Sequence, residues 1–293
     1  MPTEHKIGRY IDPLSDFGFK RLFGSEPNKD ILVDFLNELF KGKKEIVDLV
    51  YNPTEHAGDI SEFKKVFFDL QCTGRNGEQF IIEMQRAEQR NFKDRVVFYT
   101  SRLINEQLQK GEGHHNIELK EIYLIAILEF NLKDSPPDRY LHNVALTNTE
   151  TNEIFYNKLG FKFLELIKFV KTEEELDSDL DKWFYLLKHM SRLQKVPTVL
   201  NKRIFQKVFK IAEVSNLTKE EKEMYDSNLK AQWDYEDSIA FAAEKAAEKA
   251  AEIERAKALE EKKVMAKTFK NLGISAADIS KGTGLSIEEI EKL

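Results

Sequence analysis

Cysteine is all but absent from this 293-residue chain: Cys72 stands alone. No intrachain disulfide is therefore available, which fits a reducing cytoplasm. No partner set of histidine and asparagine accompanies Cys72, and it reads as a small buried apolar residue. Long apolar runs are lacking too. The longest, Ile122 to Leu128, is far too short to span a bilayer. The opening residues, MPTEHKIGRYIDP, carry no apolar core of the kind a secretory signal needs. The expectation is a soluble cytoplasmic protein with no membrane partner. An excess of basic charge is missing as well. Lys and Arg number 45 against 51 Asp and Glu, a net charge of −6. That argues against attraction of the whole molecule to nucleic acid, while a local basic groove stays open because the field in a cleft is set by nearby charges.

What is present supports a folded core. Hydrophobic residues make up 41% and charged residues, mixed in sign, 33%. The length suits one large domain or two smaller ones. Residues 10–24, YIDPLSDFGFKRLFG, contain Pro13 and Gly18 and end at Gly24, and the composition reads as a capped loop with solvated charges. A helix is expected from about Pro27 to Phe40, with Ile31, Leu32, Phe35, Leu36, Leu39 and Phe40 on one stripe. Lys41, Lys43 and Lys44 read as solvated. Glu45 to Tyr51 is a short strand candidate. Phe92 to Leu108 is a second helix, ended by Gly111 and Gly113. Ile122 to Phe130 has the continuous apolar character of a strand covered on both faces. A helix between a hairpin and such a strand is the usual parallel crossover. The expected fold is a small α/β sandwich.

Further along, residues 139–170 contain two or three further strand candidates, RYLHNVAL, EIFYN and KFLELIKF. Helices follow from Thr172 onward and over about 201–213 and 218–232. From Ser238 the composition shifts to Ala, Glu and Lys, and residues 242–252 repeat AAEK. These strong helix formers predict one long helix to about Lys270, a solvated arm or a partner-helix contact. The last 27 residues hold two capping boxes, Ser275 with Asp278 and Ser286 with Glu289. Glu288, Glu289 and Glu291 on the final helix would be repelled by phosphates. The tail therefore reads as structural or protein-contacting, not as a DNA reader.

The stretch with the most chemistry is Val66 to Gln85, VFFDLQCTGRNGEQFIIEMQ. Two apolar segments flank a turn at Asn76-Gly77, and Asp69, Glu83 and Gln85 interrupt the apolar pattern. Glu83 and Gln85 share a strand face. A two-residue turn would pair positions summing to about 153 and set Asp69 against Met84. A three-residue loop, Arg75-Asn76-Gly77, would pair positions summing to about 152 and set Asp69 against Glu83, with Gly77 in the left-handed position this loop needs. One step in register separates site from no site. Outward-facing edge charges are the alternative, opposed by the apolar flanks. Two carboxylates facing each other destabilise one another. A divalent cation with hard oxygen ligands, Mg2+ or Mn2+, removes that cost.

The pattern Asp-x13-Glu-x-Gln on a hairpin, between helices and before a buried strand, resembles the PD-(D/E)XK nuclease superfamily. FGFKRLFG, FFDLQC, FIIEMQRA, the RVVFYTSRL helix and the charged C-terminal helix with its GIS…GLS tail resemble, more closely, the Rpn (recombination-promoting nuclease) and transposase family. The likeness covers nearly the whole chain. It implies a restriction-endonuclease-like α/β core with a mixed central sheet flanked by helices, followed by an all-α region. The divisions expected are 1–170 for the core, 171–237 for a helical extension, and 238–293 for the long charged helix and its small helix-turn-helix-like tail. The implied activity is Mg2+- or Mn2+-dependent endonucleolytic hydrolysis of DNA, linked to recombination or mobile elements. A weak or inactive nuclease fold, binding DNA or a protein partner through the C-terminal arm, is the alternative. The resemblance makes Asp69 and Glu83 the metal ligands and catalytic carboxylates, with Gln85 where the superfamily usually has lysine. Asp16 matches the acidic residue of the N-terminal motif, and Lys20 is a candidate phosphate contact. Arg95 and Tyr99, on one helix face, resemble a Q-x-x-x-Y feature of related nucleases, although Arg95 also fits a plain surface ion pair. The oligomeric state stays open. A homodimer through the C-terminal helical region would let two sites cut two strands.

Overall fold

The structure is a computed structural model describing residues 7–52, 55–56, 66–67, 69–107 and 117–293. It divides into two compact units, Met1–Leu229 and Lys230–Leu293.

The first unit is built on a six-stranded mixed sheet. Its strands are β1 (Leu49–Tyr51), β4 (Leu70–Gly74), β5 (Gln79–Gln85), β6 (Ile122–Leu128), β7 (Leu141–Thr147) and β8 (Ile154–Glu165), in the order β1-β4-β5-β6-β8-β7. A separate two-stranded ladder joins β2 (Glu55–His56) to β3 (Val66–Phe67). β5, β6 and β8 run parallel, and the outer pairings are antiparallel. The apolar run of β6 is thus the sheet's interior, buried along almost its whole length.

Helix α3 (Phe92–Glu106) makes the crossover from β5 to β6. Its Phe92, Val96 and Leu103 pack on Ile81, on Leu124 and Ala126, and on Phe161 and Phe163. Odd-numbered residues of β5 therefore face α3, as the period of two requires. Leu108, Gly111 and Gly113, expected to close this helix, lie outside the described residues. The opposite face meets α2 (Lys29–Phe40), where the Phe40 ring lies 5.8 Å from Phe80 and 4.7 Å from Tyr123. Beyond it, Phe23, Phe35, Trp183 and Phe205 interlock α1 (Asp16–Phe23), α2, α4 (Asp179–His189) and α5 (Arg203–Ala212). Trp183 is fully buried and its indole N–H donates to Asp34 at 2.9 Å, so the polar edge of a large core ring is satisfied.

Several elements differ from the sequence expectation. Residues 16–23 form a helix, not a loop. Ser15 caps it, accepting the Gly18 N–H, and the Gly24 N–H donates to the Lys20 carbonyl at its end. Gly18 serves close approach: a Cβ there would lie 2.0 Å from the Asp12 carbonyl oxygen. Of the Glu45–Tyr51 candidate, only Leu49–Tyr51 pairs as strand. EIFYN and the first half of KFLELIKF run together as β8, and Leu166–Lys168 then turns into a short 3-10 helix. Gly160 between them is an accommodation to the Tyr123 ring, which a Cβ would approach to 3.0 Å. Lys44 is half-buried and not solvated, paired with Glu121 and lying 3.8 Å from Glu78. Finally, α6 runs unbroken from Lys219 to Asn271, because neither proline nor glycine interrupts residues 219–271.

In the second unit, the alanine-rich repeat of α6 is exposed. α7 (Ala276–Thr283) and α8 (Ile287–Glu291) close a small core in which Ile279, Leu285 and Ile290 meet Ala266 and Phe269. Ser286 and Glu289 form the full capping box, while the Ser275 hydroxyl accepts the Asp278 N–H and donates to the Asp278 carboxylate. Left-handed Gly273 and Gly284 make the turns.

Candidate active site

The hairpin register decides the site. β4 and β5 pair Leu70 with Ile82, Gln71 with Ile81, Cys72 with Phe80 and Thr73 with Gln79. That is the register of the three-residue loop. Gly74 N–H donates to Glu78 O at 2.7 Å, and Gly77 N–H to Gly74 O at 3.0 Å. Gly77 adopts φ +87, the left-handed region that a residue with a Cβ enters only at a cost. Carried one step back, the register sets Asp69 against Glu83.

Asp69 sits at a bend just before β4. Its Oδ2 accepts the Met84 N–H at 2.6 Å, which fixes the carboxylate beside β5. Glu83 is only 4% exposed. Its neighbour in β6 is Ala126, so a methyl group is all that the adjacent strand offers beside it. One Glu83 oxygen, Oε2, lies 3.5 Å from the Gln85 amide nitrogen. The other, Oε1, is buried with no hydrogen-bond partner among the described residues. An orphaned carboxylate oxygen is rare in native interiors and calls for an explanation.

The electrostatics follow from this placement. Burial pushes the Glu83 carboxyl up to about 8. The Asp69 charge adds to the rise, while Arg95, the Gln85 amide and the Asp69 backbone N–H oppose it. Burial likewise raises Asp69; the Met84 N–H opposes this, Asp16 adds to it, and Lys20 and Arg95 pull it back. Asp16, Lys20, Asp69, Glu83 and Arg95 thus share one field. Gln85 touches Glu83 directly, and Tyr99 joins through Arg95, whose Nε and Nη2 donate to the Tyr99 hydroxyl at 3.1 and 2.8 Å. Arg95 is thus held against Tyr99 within the field of both carboxylates. Asp16 and Lys20 pair with each other at 2.7 Å and are both about half exposed, so this pair forms the solvent-facing rim.

A divalent cation fits the donor set. Two hard carboxylates meet, one oxygen lacks any donor, and the pair resists joint ionisation without a cation. Among the described residues, no group of three or more His, Cys, Asp or Glu is gathered for a metal.

One feature escaped the sequence. Arg86, next after Gln85, donates to Asp12 Oδ2 at 2.8 Å and pairs with Glu129 at 2.8 Å. Asp12 and Arg86 are 74 residues apart, and no local pattern announces such a pairing.

A family model described as PD-(D/E)XK nuclease family transposase matches residues 13–242. No curated protein and no solved structure matches the chain. Asp16, Lys20, Asp69, Glu83, Gln85, Arg95 and Tyr99 all fall inside the matched region.

Proposed function

The chain belongs to the PD-(D/E)XK nuclease family transposases, and from that premise we propose that it is a Mg2+- or Mn2+-dependent DNA endonuclease acting in recombination or on mobile elements. The family supports a nuclease-type function on DNA phosphodiester bonds, and nucleases of this superfamily generally use divalent metal ions. The observation that carries the finer reading is the buried, partnerless Glu83 Oε1 on the strand opposite Asp69.

Asp69 and Glu83 would hold the ion. The chemistry a bound Mg2+ or Mn2+ supplies is charge on a phosphate oxygen and a lowered pKa for a coordinated water. Asp69 enters this role pre-oriented by the Met84 N–H. Glu83 must lose its proton to take part, and Arg95 favours that loss. Gln85 orients by hydrogen bonding and adds no charge. Lys20, exposed at the rim and paired with Asp16, would meet a phosphate. No helix among the described residues is long and apolar enough to cross a membrane. A homodimer through the C-terminal helical region would present two such sites to a duplex.

The test is plasmid nicking in Mg2+ or Mn2+. Wild type is expected to cut, and Asp69→Ala and Glu83→Ala are expected to fall to the level of an EDTA control. Equal activity in all three would remove the site assignment. The neutral Gln85 favours a second reading, a nuclease fold that binds DNA or a protein partner through its C-terminal arm without cutting. DNA binding by a wild type that fails to nick would select it.

A further inference from the structure

Asp12 lies outside the carboxylate pair, yet four of its groups are engaged. Its N–H donates to the Tyr225 hydroxyl at 2.8 Å. Its carbonyl accepts the Ser15 hydroxyl at 2.7 Å. Oδ1 accepts the Leu14 N–H at 2.9 Å, and Oδ2 accepts Arg86 Nη1 at 2.8 Å. Arg86 also reaches the Leu14 carbonyl at 3.4 Å and, through Nε, Glu129 just beyond β6. Ser15 in turn is the cap of α1, the helix that carries Asp16 and Lys20. The Phe17 N–H at the start of that helix donates to Asn228 Oδ1 at 3.4 Å.

Gly18, Phe19, Leu22 and Phe23 of α1 are buried, whereas Asp16 is exposed and Phe17 half-buried, its ring 5.5 Å from that of Tyr225. The polar groups at the start of the helix are held by the hydrogen bonding centred on Asp12. Through Arg86 that centre is tied to the strand bearing Glu83 and Gln85. The Asp12 and Arg86 side chains are 15% and 26% exposed, so their attraction is partly shielded from water.

We propose that Asp12 and Arg86 are positioning residues, whose ion pair sets where α1 presents Asp16 and Lys20 relative to Asp69 and Glu83. Tyr225 completes the seat by accepting the Asp12 N–H. The functional consequence rests on the nuclease reading above: Lys20 would meet the phosphate only when α1 is held in this register to β5. A misplacement near 1 Å costs on the order of 100-fold in rate.

The test uses the full chain with Asp12→Asn and Arg86→Gln. Each variant is expected to lower the kcat of plasmid nicking by roughly 10- to 100-fold. Mn2+ affinity should stay within about twofold, since the hairpin positions Asp69 and Glu83 without Asp12. On an Asp16→Ala, Lys20→Ala background the same substitutions should have little further effect, because their route to the site is gone. Amide exchange supplies a readout independent of activity. The Gly18 and Phe19 N–H groups, both bonded to Ser15, should exchange faster in the variants, while Ile81–Met84 should not change. An unchanged kcat, a loss that persists on the double-alanine background, or unchanged α1 exchange overturns the proposal. If wild type does not cut, the nuclease reading falls, and the exchange measurement alone decides whether Asp12 holds α1.

Discussion

Replacing Glu83 with glutamine isolates the electrostatic cost built into the site. The folded-state pKa, pushed to about 8, lies above the ordinary 4.5. The folded protein therefore holds this proton more tightly than the unfolded chain does. The corresponding stability is fully present below about pH 4.5 and is lost as pH rises towards 8; above that both states are ionised and the dependence flattens. The window spans roughly 3.5 pH units at ~1.4 kcal/mol each, giving a ceiling of about 5 kcal/mol. Relaxation around Asp69 and Arg95 brings the expected loss to a few kcal/mol. Glu83→Gln removes the titration. Urea denaturation of both proteins in EDTA at pH 5, 6, 7, 8 and 9 reads the effect. Their difference should change sign or grow in the variant's favour as pH rises. At pH 8, Mg2+ or Mn2+ should restore stability to wild type, by RT ln(1 + [M]/Kd), and leave the variant unmoved. Parallel curves across the whole range would refute the buried-carboxylate reasoning. An equal metal response in both would refute the assignment of Glu83 as a ligand.

Other perturbations read other links in the chain of causes. Gly77→Val forces a β-branched residue into φ +87 and should cost about 1–2 kcal/mol of stability by urea denaturation, with nicking falling further because the register sets Asp69 against Glu83. The nearest atom to the new Cβ would be a Lys120 side-chain carbon at 3.4 Å, so the cost is in the backbone and not in crowding. Arg95→Ala removes a positive charge that lowers both carboxylates; the acidic limb of the pH–rate profile should move to higher pH, and an unmoved limb would place Arg95 outside the site's field. Trp183→Ala should cost ~3–5 kcal/mol by urea denaturation, while a metal titration of the folded fraction stays as in wild type.

The hairpin was legible because its determinants are local. Turn chemistry selects the loop, the loop selects the register, and a period of two selects the face, all within 69–85. The β6 strand and the α3 crossover were legible for the same reason. Asp12 and Arg86 were not, because a salt bridge between distant segments leaves no periodicity. Gly18 misled: it read as part of a loop, and it exists because the Asp12 carbonyl comes close. The shift to alanine at Ser238 marked a change of surface, from a helix partly packed through Tyr225 and Leu229 to one that is exposed. It did not mark a break in the helix, since helix continuity depends on backbone propensity and not on which face is covered.

The identity of residue 85 links the stability of this fold to its chemistry. A lysine there, as the superfamily usually has, would lie beside Glu83 and offset its charge from within the chain. Glutamine reaches Glu83 only as a neutral donor at 3.5 Å. The remaining positive neighbours act on both carboxylates at a distance, Arg95 on Glu83 and Asp69, and Lys20 on Asp69 alone. Glu83 Oε1 is left with no partner among the described residues. Burial and mutual repulsion favour a proton on this pair. If a divalent ion binds the same oxygens, as proposed, it would compete with that proton, and binding would release it through the neutral range. On that proposal, metal affinity, folding stability and their pH dependence would be three measurements of one free energy, held at Asp69 and Glu83 by a loop that closes through Gly77.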